Sequence, residues 1–68
     1  MKKASSLVPK IAESYAADIY SLFKAGRIEE ARRSREQGIW RLMVADLSMS
    51  EATASRILSD EVRILMEA

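Results

Sequence analysis

One proline and two glycines are the only strong helix breakers in the chain, and between Pro9 and Gly26 the apolar residues return at helical spacing. At about 100° per residue, Ile11, Ala12, Tyr15, Ala16, Ile19, Tyr20, Leu22 and Phe23 fall within one half of a helical wheel. Lys10, Glu13, Ser14, Asp18, Ser21 and Lys24 occupy the other half. Pro9 suits the first position of a helix, where its missing N–H would be unpaired anyway. Gly26 suits the left-handed residue just past the end. The spacing predicts an amphipathic helix over about residues 9–25. Nowhere does the chain show the period-two alternation of a half-buried strand.

The next stretch changes character halfway. From Arg27 to Gln37 only Ile28 and Ala31 mark an inner side, and the pairs Glu29–Arg33 and Arg32–Glu36 have the spacing for local ion pairs. From Ile39 to Leu47 only Arg41 and Asp46 are polar, which predicts a helix covered on most sides. Gly38 lies at the junction, so residues 27–47 read either as one helix or as two that break near 38. Ser48 and Glu51 have the spacing of a capping box, with Ser50 as an alternative cap. Beyond them Ala54, Ile57, Leu58, Val62, Ile64, Leu65 and Met66 share a face, predicting a last helix over about 50–67. The fold class expected is all-α: a single domain over 1–68, a compact bundle of three or four helices, open to completion by dimerisation.

Composition narrows the functions. Hydrophobic residues at 49% with charged residues at 31% describe a globular chain. With no Cys and no His, thiol nucleophiles, imidazole bases and the common zinc ligand sets are excluded. Sixty-eight residues leave little room for a water-excluded catalytic pocket beside a core. Tyr15 and Tyr20 lie on the apolar face and read as core tyrosines. No catalytic residue, metal site or cofactor is expected, and the chain is not read as an enzyme. The charged start is followed by an apolar run that stops at Pro9 and Lys10, too short for a signal peptide. No stretch reaches the length of a membrane span. A cytoplasmic protein without membrane contact is the expectation.

Two features suggest partners. Arg27, Arg32, Arg33, Arg35 and Arg41 cluster in one segment, and Lys2, Lys3 and Lys10 add charge near the N-terminus. Such residues can contact phosphates, although Glu29, Glu30 and Glu36 offset part of the charge. The segment Leu47-Ser-Met-Ser-Glu-Ala-Thr-Ala-Ser-Arg-Ile-Leu58 resembles the turn and second helix of a helix-turn-helix, most closely the lac-repressor type of bacterial regulator. That resemblance implies a first helix ending over Met43–Leu47, a turn at Ser48-Met49-Ser50 and a recognition helix from Ser50 to Leu58. Met49, Ala54, Ile57 and Leu58 would then anchor it. Ser50, Glu51, Thr53, Ser55 and Arg56 would meet double-stranded DNA, with Arg27, Arg32, Arg33 and Arg35 on phosphates.

The same residues support a second reading, a helical protein-interaction module: an adaptor, inhibitor or self-assembling bundle with no nucleic-acid role. Residues 42–68 set Arg56 and Arg63 against Asp46, Glu51, Asp60, Glu61 and Glu67, an acidic balance that repels phosphate. Arg56 has Asp60 and Arg63 has Glu67 one turn away. On either reading Trp40, Leu42, Val44 and Leu47 present more apolar faces than a chain this short can cover. A homodimer is therefore expected, with a larger protein as another possible partner.

Overall fold

The computed structural model describes residues 3–68, and side chains from Leu7 onward. Lys2 lies outside the described residues, as does the side chain of Lys3. Three helices follow one another: α1 (Lys3–Lys24), α2 (Ile28–Ala45) and α3 (Glu51–Glu67), a compact all-α bundle with no strand among the described residues.

The first helix begins earlier than its pattern suggests, at Lys3, and encloses Pro9. A proline at this depth removes one backbone donor from the helix ladder. The helix therefore starts upstream of the position its proline marks. Its C-terminus matches the expectation: Gly26 has φ of 80°. The Arg27 N–H donates to the Leu22 carbonyl (2.9 Å) and the Gly26 N–H to the Phe23 carbonyl (3.0 Å). This is the Schellman closure that a left-handed glycine permits.

α2 runs unbroken through Gly38, so the break considered there does not occur. Gly38 is buried, and a Cβ at this position would lie 2.9 Å from Leu58 Cδ1 and 3.1 Å from Tyr15 Cβ. All three helices meet at this point, and a side chain would hold them apart. The glycine lowers helix propensity but allows this close approach.

Around that crossing Ala12, Ile39, Leu42, Ala54 and Leu58 form the core, with Val8, Ile11, Tyr15, Met43, Met49 and Ile57 packed against it. Alanines on α1 and α3 let the backbones close in, while Leu42 and Leu58 fill the remaining space with no exposure. Further along the α1–α2 seam, the buried Ser34 hydroxyl donates to Asp18 Oδ2 (2.6 Å), giving a partner to the one buried polar residue among the described residues. The turn of residues 46–50 ends in Ser50, whose Oγ accepts from the Thr53 N–H (3.1 Å) and caps α3. Ser48 donates instead to Asp46 Oδ1. Of the two caps the sequence allows, Ser50 is the one used.

Two other expectations need correction. The apolar run from Ile39 to Leu47 is not covered on most sides, because Trp40, Val44 and Leu47 are exposed while Leu42 is fully buried. α1 and α3 both pack against the inner side of α2, and among the described residues nothing covers its outer side. The local ion pairs also differ from those the spacing suggests. Among the described residues they are Arg27–Glu30 (2.7 Å) and Arg63–Asp60 (3.1 Å), both exposed, so each contributes little to stability.

Candidate functional site

Three and four residues on, a helix returns to the same side; two residues on, it nearly reverses. Trp40 follows Gly38 by two and precedes Leu42 by two, so it points away from the core that both of them face. Its side chain is 70% exposed. Val44 continues the same stripe one turn later at 53% exposure, and Leu47 in the following turn segment reaches 88%. A tryptophan in water forgoes the burial of a large apolar area, and such a stripe on one helix marks a contact surface.

Trp40 stands as a ridge between two open clefts. On the α1 side, a cleft of about 450 Å³ is lined by Tyr15, Arg33, Glu36, Gln37 and Arg41. On the α3 side, one of about 360 Å³ is lined by Glu36, Ile39, Met43 and Glu51. Glu36 borders both clefts, so one flank of the ridge carries two arginines beside one glutamate and the other carries Glu36 and Glu51 with no arginine. Their floors are the aromatic ring of Tyr15 and the side chains of Ile39 and Met43. Both clefts open along the surface and lack the enclosure that a small-molecule site needs.

The residues expected to read DNA are divided by the structure. Glu51, Thr53 and Arg56 are exposed on α3. Ala54 and Leu58 are buried beneath them, with Met49 and Ile57 half-buried. Ser50 is occupied as the cap, its Oγ also meeting the Thr53 hydroxyl at 3.0 Å. Ser55 turns toward α2, where the Arg35 guanidinium donates to its Oγ at 2.5 Å and to Ser59 Oγ at 3.2 Å. Arg35 is thus a brace between α2 and α3. Arg27 is held by Glu30, while Arg32 and Arg33 are exposed.

Of the four residues that the sequence marks as too apolar to cover, Trp40, Val44 and Leu47 are exposed and Leu42 is buried, and the charges beside them are not part of that pattern. The spacing of Arg33, Glu36, Trp40 and Arg41 on a single helix held that information once α2 was known to be unbroken. Glu51 could not have been added, since its approach depends on where α3 packs. Among the described residues there is no group of three or more carboxylates able to hold a metal ion, and no helix long and apolar enough to cross a membrane. Compared with family models, curated proteins and solved structures, the chain matches none.

Proposed function

We propose that this chain is a helical protein-interaction module of the cytoplasm that acts by binding and not by catalysis, with the outer face of α2 as its working surface. The observation that carries the reading is Trp40, exposed on the side of α2 opposite the core and set between two clefts. Large aromatic side chains with arginines nearby are the residues that most often dominate the energy of protein contacts. Behind them Gly38 and Leu42 on the same helix pack closely against α1 and α3.

The test is site-specific photo-cross-linking in cells from Gln37 or Val44, with Arg63 as a control position. Adducts formed from α2 and lost in the Trp40→Ser variant support the module. Equal labelling from Arg63, or none from α2, overturns it.

A second reading, a DNA-binding regulator, is favoured by one observation: the exposed Thr53 and Arg56 above the buried Ala54 and Leu58. Its support is narrowed by the internal use of Ser50, Ser55 and Arg35. Fluorescence anisotropy with mixed-sequence duplex at about 50 and about 200 mM salt separates the readings, because phosphate contacts weaken steeply with salt. Micromolar binding that falls between the two salts supports DNA recognition, and an Arg56→Ala variant would then lose sequence preference. No binding at the lower salt removes it.

A further inference from the structure

We propose that the occupant of the Trp40 face is a second copy of this chain, with the two α2 helices side by side and pointing the same way. The proposal rests on the interaction-module reading and adds the partner and its orientation.

A symmetric pair uses the same patch on both molecules, so the patch must complement itself. The apolar part does so trivially: Trp40 meets Trp40 in offset stacking, and Val44 meets Val44 one turn further on. The charges decide the orientation. Arg33 and Arg41 line only the α1-side cleft, Glu51 lines only the α3-side cleft and Glu36 borders both, so the first flank is net positive and the second net negative. Among the described residues, none of these four forms an ion pair within its own copy. Arg32 lies toward the α3 side but does not line that cleft.

A two-fold axis parallel to α2 exchanges its left and right flanks while keeping each residue at its own level. Each arginine flank then lies on the partner's glutamate flank, once on each side of the paired tryptophans. An axis running across α2 instead keeps each flank on its own side, laying arginines on arginines and glutamates on glutamates. Like charges brought together disfavour that arrangement. One patch thus specifies both a partner and a direction. Two copies also cover the exposed stripe that a single copy leaves in water. With few residues in the patch the interface is small, and micromolar association that weakens with salt is expected.

The test uses the full chain and three measurements. Sedimentation equilibrium of the unmodified protein is expected to show a monomer–dimer equilibrium, and a monomer at about 200 μM, well above the expected range, overturns the proposal. Reversing one flank, either as Arg33→Glu with Arg41→Glu or as Glu36→Arg with Glu51→Arg, should weaken self-association about tenfold or more, a loss of about 1.4 kcal/mol. Mixing the two reversed proteins should restore pairing. Each variant is first checked for unchanged helical melting, which an exposed flank permits, and association unaffected by reversal overturns the proposal.

Orientation is read from cysteines, since the chain has none of its own. A Val44→Cys variant should form a disulfide with itself, because equivalent positions face each other across the axis. Faster cross-linking between Val44→Cys and Glu36→Cys would mean antiparallel pairing and overturn the assignment. If photo-cross-linking from Gln37 captures a different protein while this chain remains monomeric, the module reading stands and the second copy is excluded.

Discussion

At Gly38, α2 comes so near its neighbours that an added Cβ would lie 2.9 Å from Leu58 Cδ1, yet two residues later the only tryptophan is 70% exposed. One helix thus carries a close approach to both neighbours and a large uncovered aromatic side chain, on opposite sides. The inner side uses small residues, Gly38, Ala31 and Ser34, beside the fully buried Leu42. Its role is to bring three backbones together. The outer side places a large aromatic between two sets of unpaired charges, which contributes little to folding a single copy. The helix that carries much of the core thus also carries the exposed aromatic ridge.

The sharpest challenge to this contrast is Leu42→Ala on the inner side. Removing a fully buried leucine should cost about 2–5 kcal/mol, a large share of the stability of any small domain. Thermal melting followed by helical circular dichroism should show the loss, and an unchanged melt would mean that the inner side is not the core. Gly38→Val comes next, at about 1–3 kcal/mol for forcing a branched side chain into a filled site. Gly38→Ala is less decisive, since the methyl gains about 1 kcal/mol of helix propensity while pressing on Tyr15.

Smaller effects test the joints. Ser50→Ala should cost about 1 kcal/mol by uncapping α3, measured as a shift in the denaturant midpoint. Replacing Ser34 by alanine should cost a similar amount, about 1 kcal/mol, through the lost bond to Asp18. Last comes Trp40→Ser on the outer side, expected to change the stability of a single copy by no more than about 0.5 kcal/mol. Such a variant should still lose binding at the α2 face. A large drop in its melting temperature at low concentration would erase the distinction between the two sides.

Much of the bundle can be read without coordinates, and the limits of that reading have local causes. The pattern from Ile11 to Phe23 identifies the inner side of α1, since Ala12, Ala16 and Ile19 are buried. Gly26 announces the end of that helix because a positive φ is a backbone property that favours one residue type. Ser50 is legible as a cap for a similar reason: its hydroxyl answers an unpaired N–H three residues away. Pro9 misleads, because a local preference for the first turn is overruled when the helix continues upstream. Arg35 was read as a phosphate ligand, and only the packing of α3 reveals the two serine hydroxyls it meets.

Helical periodicity, caps and turn residues act within a few positions of one another, so the amino-acid sequence by itself determines an all-α chain of three or four helices and part of their inward sides, leaving the continuity of the helix at Gly38 open. The run from Ile39 to Leu47 is apolar nearly all round, and periodicity cannot choose among its sides. That choice belongs to the tertiary structure. Gly38 lets Leu58 of α3 and Tyr15 of α1 approach the side that also bears Leu42, and the opposite side, with Trp40, is exposed because both neighbouring helices pack on the inner one.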